Sequence, residues 1–584
     1  MNQDLSFTQL KKNLKKDFSS LPVLKIALLG DTPTQLLNQA IRGYGYLLGW
    51  NIEIWEADFD QIDRQILDPE SELYKQSFDF ILLFPSAQKL LTKFYKTKKE
   101  KKAVFVQSHT AYLQLLINTL FDGAHCKILF MNYAPYDDGV FGSFAAKTRL
   151  SFTSNLRAIN VALDNLSAEK KDLFIIDVNA LQSKAGSKAS VSSTVYINNG
   201  FVFHLDFLPR IALEICQVIG AVNGKFHKCL IFDLDNTIWG GIVGDDGWQN
   251  LQIGDLGIGK AFTQMQLWAR QLSMRGIILC ICSKNNEDNA KQVFELHPDM
   301  ILQLSDIAVF VANWETKVQN IHHIQSVLNI GFDSMVFIDD NPFERNMVRA
   351  ALPQICVPEM PAEPEEYLPF LESLHLFETA SISEEDENRT RLYQEEAKRS
   401  TLQTAFANED EFLQSLEMKV EISSFTKYNI PRVAQLTQRS NQFNLRTIRY
   451  TEIDIEKISI NENYISMAFS LEDIYGDYGL ISTVILKKEK ENLFIDTWIM
   501  SCRVLKRGME QFVTEQIVAQ AKKAGIEKII GEYLPTQKNG IVKNLLSEMQ
   551  FVYKENCWQL TVSEFTGIKN YIRLKEKNPQ AENG

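Results

Sequence analysis

The 584-residue sequence has no uninterrupted apolar run of about 18 residues, which is the length that a membrane-spanning helix needs. The first residues, MNQDLSFTQLKKNLKKDF, also lack the apolar core of a secretory signal. We therefore expect no membrane span and a cytoplasmic location.

Cysteine is scarce, and no two cysteines have the C-x-x-C spacing of a metal site or a redox pair. The scattered distribution predicts reduced, buried thiols in a cytosolic protein rather than a disulfide framework. The eight cysteines are Cys126, Cys216, Cys229, Cys280, Cys282, Cys356, Cys502 and Cys557.

Positive charge is in deficit, with 61 basic against 73 acidic residues and a net charge of −12. This balance argues against a general binder of nucleic acid, although a negative net charge is compatible with a local basic patch. The hydrophobic content of 45% is ordinary for a globular protein. The chain is too long to fold around a single hydrophobic core, so its length predicts several domains.

Short apolar runs alternate with helix-like segments over the first two thirds of the chain, a pattern typical of parallel sheets covered on both faces. A first set of runs lies at 24–30, 79–84, 103–107, 127–132 and 173–178. A second set lies at 228–234, 276–282, 307–311, 335–339 and 355–358. We predict α/β domains at 1–222 and 223–375.

The remaining third has a different pattern. Residues 376–414 are charged and helical in character, which predicts a bridging helix. Residues 415–570 mix strand-like and helix-like segments, which predicts an α+β domain, and 571–584 form a tail. The predicted fold class is therefore a multidomain α/β protein.

The segment KCLIFDLDNT (228–237) places Asp233 and Asp235 where an apolar strand ends. Ligands of open α/β sheets bind outside the carboxyl ends of strands. Residues two apart in a strand share a side, so the two carboxylates would repel each other unless a divalent cation lay between them. An aspartate can also attack phosphorus as a nucleophile. The alternative is that both aspartates cap a turn or helix.

Three further polar sites follow predicted strands of the same domain. Ser283 could hold a phosphate oxygen or cap a helix, and Lys317 could neutralise phosphate or be an ordinary surface lysine. Asp339 and Asp340 are a second acidic pair, which the following Asn-Pro could instead place in a turn.

In this order, D-x-D-x-T, Ser, Lys and Asp-Asp resemble the haloacid dehalogenase (HAD) superfamily of phosphotransferases. The resemblance implies that Asp233 is the nucleophile that forms an aspartyl-phosphate and that Asp235 is the general acid and base. It implies that Thr237 and Ser283 position phosphate and that Lys317 stabilises charge.

The same resemblance implies a Mg²⁺ cofactor. Its ligands would be the carboxylate of Asp233, the backbone carbonyl of Asp235 and the carboxylate of Asp339, with Asp340 close by.

Longer motifs narrow the resemblance to the FkbH-like branch, HAD subfamily IIIC, over about 228–395. They are WGGIVGDDG (239–247), SKNNE (283–287), HPDM (297–300), NWETK (313–317), DDNPFER (339–345) and EDENRTRLY (385–393). Members often carry an N-terminal domain like an SGNH hydrolase and a C-terminal domain like a GNAT acyltransferase, and the flanking domains fit both descriptions.

The resemblance implies an activity and a partner. Such enzymes take glyceryl from 1,3-bisphosphoglycerate, remove phosphate and place the glyceryl group on the phosphopantetheine thiol of an acyl carrier protein. The chemistry is reasonable because a thiolate can displace phosphate from an acyl phosphate, and the HAD site can hydrolyse the remaining phosphomonoester. Two alternatives stay open: a phosphatase of a small phosphometabolite without acyl transfer, and a non-catalytic assembly protein.

An enzyme thiol could carry the acyl group. Cys282 precedes Ser283, and Cys502 precedes Arg503 and further cations, which favour a reactive thiolate. The alternative for each is an inert buried cysteine.

The flanking domains resemble their families less closely. RVLKRG (503–508) resembles the GNAT phosphate-binding loop at Arg503 and Gly508, whereas Lys506 replaces a glycine. LLGDTPT (28–34) resembles the first SGNH block but has Thr32 in place of serine. The N-terminal domain is therefore expected to be a degenerate hydrolase scaffold for carrier docking or substrate selection, or a purely structural domain.

Overall fold

The computed structural model describes residues 5–58, 60–124, 126–382, 389–395, 406, 408–440, 442–501, 504–536 and 538–575. The chain forms two compact units, Met1–Gly220 and Ala221–Gly584. None of the described helices combines the length and the apolar character that crossing a bilayer requires.

The first unit contains a parallel sheet of five strands in the order β2-β1-β3-β4-β5. The strands are β1 (Val23–Gly30), β2 (Asn51–Glu56), β3 (Phe80–Phe84), β4 (Lys127–Met131) and β5 (Leu173–Ile176). The helices are α1 (Phe7–Asn13), α2 (Gln35–Leu47), α3 (Ile62–Leu67), α4 (Ala87–Lys96), α5 (Lys99–Lys102), α6 (Phe105–Ala124), α7 (Phe152–Glu169), α8 (Val178–Ala185), α9 (Ser187–Ser190), α10 (Ser193–Asn199) and α11 (Leu208–Val222).

One strand predicted for this sheet is wrong. Residues 103–107 lead into α6, because the apolar pattern continues with a helical period through Phe105, Leu113, Leu116 and Leu120, all of which are buried. The strand β2 lies at the edge of the sheet and was missed, since polar residues interrupt its segment NIEIWE and only Ile52 is buried.

The second unit begins with a parallel sheet of four strands in the order β8-β7-β6-β9. The strands are β6 (Cys229–Phe232), β7 (Ile278–Ser283), β8 (Ile307–Ala312) and β9 (Met335–Ile338). Its helices are α12 (Val243–Asp246), α13 (Gly259–Met274), α14 (Glu287–Leu296), α15 (Lys317–Leu328), α16 (Pro342–Ala351) and α17 (Tyr367–Ser373).

Both faces of this sheet are buried, as continuous apolar strands predict. Leu230 and Phe232 pack into one hydrophobic cluster, whereas Cys229 and Ile231 pack into the cluster on the opposite face. The predicted strand at 355–358 is wrong, because Cys356 makes only an isolated bridge to Val336.

The rest of the second unit is a mixed sheet in the order β15-β16-β14-β13-β12-β11-β10-β17. The strands are β10 (Lys419–Ser423), β11 (Tyr464–Asp473), β12 (Gly476–Glu489), β13 (Asn492–Met500), β14 (Lys528–Gly531), β15 (Val552–Lys554), β16 (Cys557–Thr561) and β17 (Arg573–Leu574). The helices are α18 (Glu409–Ser415), α19 (Ile430–Arg439), α20 (Glu452–Ser459), α21 (Met509–Lys523) and α22 (Leu545–Glu548).

The mixed sheet is the α+β arrangement that the sequence predicts, and β17 pairs with β10 although its residues were assigned to the tail. Residues 576–584 of the predicted tail lie outside the described residues. Within the predicted bridging helix, residues 389–395 and the residues of α18 are helical. Residues 383–388 and 396–405 lie outside the described residues.

Candidate active site

Four strand ends bring the predicted residues to one edge of the second unit's parallel sheet. Asp233 directly follows β6, Ser283 ends β7, Lys317 begins the helix after β8, and Asp339 directly follows β9. Because these strands are parallel neighbours, their carboxyl ends meet at the same edge. Residues separated by more than 100 positions in sequence therefore form one polar cluster.

Lys317 lies at the centre of this cluster. Its ammonium donates to Oδ1 of Asp233 at 2.5 Å and to the backbone carbonyl of Cys282 at 2.8 Å, and lies 3.1 Å from Oδ2 of Asp339. The side chain is 2% exposed. Burial opposes a charged lysine, but the two carboxylates outweigh it and raise the pKa of Lys317. Lys317 is thus a buried cation and not a solvated surface lysine.

Three carboxylates gather beside this cation. Oxygen atoms of Asp233, Asp339 and Asp340 lie within 4.8 Å of one another. Burial and the charge of Asp233 raise the pKa of Asp339 to about 6, and the same two causes raise the pKa of Asp340. One ammonium leaves an excess of negative charge, so the cluster fits a hard divalent cation, which prefers oxygen ligands.

Asp235 is held apart from those three carboxylates by donors of its own. Its Oδ1 accepts from the indole N–H of Trp239 at 2.8 Å and the backbone N–H of Val243 at 3.1 Å, and its Oδ2 accepts from the amide of Asn285 at 2.8 Å. Burial nevertheless raises the pKa of Asp235. A carboxyl that is fixed in place and has a raised pKa is suited to proton transfer.

The two residues predicted to position phosphate are both buried. The hydroxyl of Thr237 accepts the backbone N–H of Asp340 at 3.1 Å, so it holds the loop that carries the second acidic pair. Ser283 is 1% exposed at the end of β7, directly after Cys282, whose carbonyl binds Lys317.

The sequence alone did not predict three residues of this site: Arg345, Asn285 and Trp239. The guanidinium of Arg345 donates to the carbonyls of Asp339 and Asp340 and pairs with Glu359 at 2.6 Å. These contacts fix the backbone of the acidic pair. All three residues lie inside the quoted motifs WGGIVGDDG, SKNNE and DDNPFER. The signal available was that each lies within five positions of a predicted site residue.

The candidate thiol Cys282 does not face this cluster as a nucleophile would. Its side chain is fully buried among apolar residues such as Ile231 and Phe337. Burial raises the pKa of the Cys282 thiol to about 12, which disfavours the thiolate despite the nearby ammonium of Lys317. The other candidate thiol, Cys502, lies outside the described residues, as does Arg503.

In the mixed-sheet domain, the described residues of the predicted phosphate-binding loop form a turn. Lys506 has φ +62° and Gly508 has φ +85°, so the lysine adopts a left-handed conformation that favours glycine. Gly508 immediately precedes α21, and a cavity of about 490 Å³ lies beside it.

Charged side chains of both signs line this second cavity. A carboxylate oxygen of Glu510 accepts the N–H of Lys506 at 3.2 Å, and Asp410 and Glu548 also line the cavity. Lys506 and Lys569 line it as well, and the ammonium of Lys569 pairs with Asp410 at 2.7 Å.

A solved structure is similar to this chain over much of its length. The crystal structure of the N-terminal part of the protein BF1531 from Bacteroides fragilis, which contains a phosphatase domain complexed with Mg, is 49% identical. The match covers 65% of this chain and 100% of that chain, with a TM-score of 0.62. The family model of the FkbH N-terminal domain matches residues 25–220. No curated protein matches the sequence.

Two further solved structures resemble smaller parts of the chain. The ribosomal-protein-S18-alanine N-acetyltransferase of Escherichia coli is 15% identical over 23% of this chain and 77% of its own, with a TM-score of 0.19. The spermidine N-acetyltransferase of Vibrio cholerae, in complex with CoA and spermine, is 14% identical over 25% of this chain and 97% of its own, with a TM-score of 0.20.

Proposed function

Since this chain belongs to the FkbH-like family of the haloacid dehalogenase superfamily, we propose that it is a Mg²⁺-dependent enzyme that removes phosphate through Asp233. The observation that carries the proposal is the ammonium of Lys317 between Asp233 and Asp339, beside a third carboxylate. Asp233, Asp339 and Asp340 would hold the ion, with the backbone carbonyl of Asp235. When bound, Mg²⁺ offsets the negative charge of the phosphoryl group.

The residues account for both halves of phosphate removal. A carboxylate oxygen of Asp233 attacks phosphorus, and the bond to the leaving oxygen breaks while Asp235 donates a proton to that oxygen. Asp235 then takes a proton from a water molecule, whose oxygen attacks the aspartyl-phosphate and releases phosphate and free Asp233. The raised pKa of Asp235 supports its protonated form in the first half. Lys317, with Ser283 beside it, stabilises the charge of the phosphoryl oxygens.

We further propose that the substrate is a phosphorylated three-carbon acyl donor such as 1,3-bisphosphoglycerate. The phosphopantetheine thiolate of an acyl carrier protein would attack the acyl carbonyl and expel the acyl phosphate, forming a thioester. The HAD site would then hydrolyse the remaining phosphomonoester and leave a glyceryl group on the carrier. Direct transfer to the carrier is favoured over an enzyme thioester at Cys282, because that thiol is buried with a raised pKa.

A phosphatase that acts on a small phosphometabolite without acyl transfer is the second candidate. It is favoured by the same burial of Cys282, which leaves no accessible thiol beside the polar cluster among the described residues. Both proposals use Asp233 identically and differ only in the carrier.

Intact-protein mass spectrometry separates the two candidates. The enzyme is incubated with Mg²⁺, a 1,3-bisphosphoglycerate-generating system and a phosphopantetheinylated carrier protein. A glyceryl adduct on the carrier that requires the enzyme supports transfer, and the Cys282→Ala and Cys502→Ala variants test for an enzyme-bound acyl group. Steady phosphate release from other phosphoesters, with no adduct on the carrier, would support a phosphatase that acts without acyl transfer.

A further inference from the structure

A cavity of about 580 Å³ lies at the carboxyl edge of the five-stranded sheet in the first unit. It is lined by Asp31, which follows β1, by Ser86, which follows β3, and by Tyr133, which follows β4. The strand order reverses direction between β1 and β3, and such a switch point is where α/β sheets bind ligands. Asp31 bridges it, because its Oδ2 accepts the N–H of Ser86 at 2.8 Å.

Two residues that line this cavity each have a buried polar atom with no hydrogen-bond partner among the described residues. The atoms are Oδ1 of Asp31 and Nδ1 of His109. His109 is 5% exposed, and its Nε2 hydrogen-bonds the hydroxyl of Tyr133 at 2.9 Å. Buried polar atoms are nearly always bonded, so two such atoms beside one cavity point to a missing ligand.

Cations form the rim. Lys89, Lys93 and Lys96 all line the cavity, and their spacing of four and three residues places them on one face of α4. Lys89 pairs with Asp60 at 3.1 Å, and the ammonium of Lys93 lies 4.4 Å from the centre of the Tyr112 ring. Asp60 and Asp63 also line the cavity, so the ammonium groups of Lys93 and Lys96 are the ones that suit a phosphate group.

Part of the lining is apolar. It includes the side chains of Leu83, Leu90, Leu113, Leu116 and Phe130. An apolar wall with a few convergent polar groups is typical of a small-molecule site.

The same cavity lacks the parts of a hydrolase among its described lining residues. The hydroxyl of Ser86 accepts the N–H of Lys89, and those of Thr92 and Thr97 donate to carbonyls of their own helix. Burial lowers the pKa of His109 to about 3, so this imidazole is a poor base. Thr32, in the place of an SGNH serine, is buried and is not among the lining residues. The cavity is therefore built to bind and not to hydrolyse.

We infer that this cavity binds the phosphate-ester end of a phosphopantetheine arm, with the α4 lysines on the phosphate, the leucines on the branched carbons and Asp31 on the adjacent hydroxyl. The inference rests on the proposed function, which supplies the arm. This end of the arm joins a phosphate, an apolar branched carbon and a hydroxyl in one short segment, matching the cations, the apolar side chains and the carboxylate of Asp31 that line the cavity.

Isothermal titration of the full chain with pantetheine 4′-phosphate tests the inference. We expect saturable binding to the wild type. Asp31→Asn keeps the shape but removes the charged acceptor, and a lost charge-assisted hydrogen bond should weaken binding about tenfold or more. Lys96→Ala should lower the affinity for pantetheine 4′-phosphate and should make that affinity less dependent on salt concentration. Lys99→Ala removes an exposed lysine that does not line the cavity and should bind like the wild type.

Three outcomes would overturn the inference: no binding, equal binding by the Asp31→Asn and Lys96→Ala variants, or binding of 3-phosphoglycerate in preference to pantetheine 4′-phosphate. The titration and the carrier adduct are independent readouts. A carrier adduct without binding of pantetheine 4′-phosphate would reject this binding site but support the proposed function. Binding without a carrier adduct would support the site but reject glyceryl transfer.

Discussion

The ammonium of Lys317 lies 2.5 Å from Oδ1 of Asp233, although the two residues are 84 positions apart in the sequence. Lys317 is the first residue of α15, where the helix dipole disfavours a cation. The lysine is retained there by Asp233 and Asp339, which together raise its pKa. The pair joins the proposed nucleophile to a buried cation.

Asp233→Asn should abolish phosphate release, with turnover reduced at least about 10³-fold, because an amide cannot form the aspartyl-phosphate. The measurement is phosphate release under saturating Mg²⁺, with circular dichroism to check the fold. Asp255→Asn alters an exposed aspartate of the same domain and serves as the matched control. Turnover near that of the wild type would remove Asp233 from its assigned role.

Lys317→Ala should lower turnover by about 10²-fold or more, because it removes the buried cation next to the phosphoryl site. It also leaves three carboxylates without their ammonium, so Mg²⁺ should raise the melting temperature of the variant more than that of the wild type. The control is Lys291→Ala, which removes only an exposed pair with Glu287. An equal or smaller Mg²⁺ effect on melting would contradict the geometry of the cluster.

Asn285→Ala should move the pH dependence of turnover. The amide of Asn285 donates to Asp235 and stabilises its ionised form, so loss of the bond raises the pKa of Asp235 further. The limb of the pH–rate profile that reports Asp235 should therefore shift to higher pH. An unshifted profile with a merely lower rate would mean that Asn285 only supports the loop.

The first unit should lose stability as pH rises. Burial raises the pKa of Asp31 from 3.8 to about 6, so the folded state binds more protons than the unfolded state between these values. Its free energy of unfolding should therefore fall from about pH 4 to about pH 6, by up to about 3 kcal/mol, and level off above. Asp31→Asn should remove this dependence.

Hydrogen exchange of peptides from β1 in the full chain, corrected for the intrinsic rate at each pH, measures this effect. Asp122→Asn, an exposed aspartate of α6, is the control and should follow the wild type. The assignment fails if Asp31→Asn keeps the wild-type slope.

Local pattern in the sequence was enough to predict much of the architecture. Continuous apolar runs such as 228–234 and 335–339 predicted buried parallel strands, because only a sheet covered on both faces tolerates them. The same reasoning failed at 103–107, where a short apolar run is equally compatible with a buried helix, and α6 is the result. It also missed β2, an edge strand whose segment is interrupted by polar residues.

The sequence by itself determined which residues stand at strand ends, since Asp233, Ser283 and Asp339 each follow an apolar run. Only the tertiary structure decided which of them meet, because the order β8-β7-β6-β9 sets which carboxyl ends are neighbours. It also decided electrostatic state: Lys317 is charged and buried, whereas the thiol of Cys282 is buried with a raised pKa. Burial and the distance between charges are properties of the packed chain, and no local pattern encodes them.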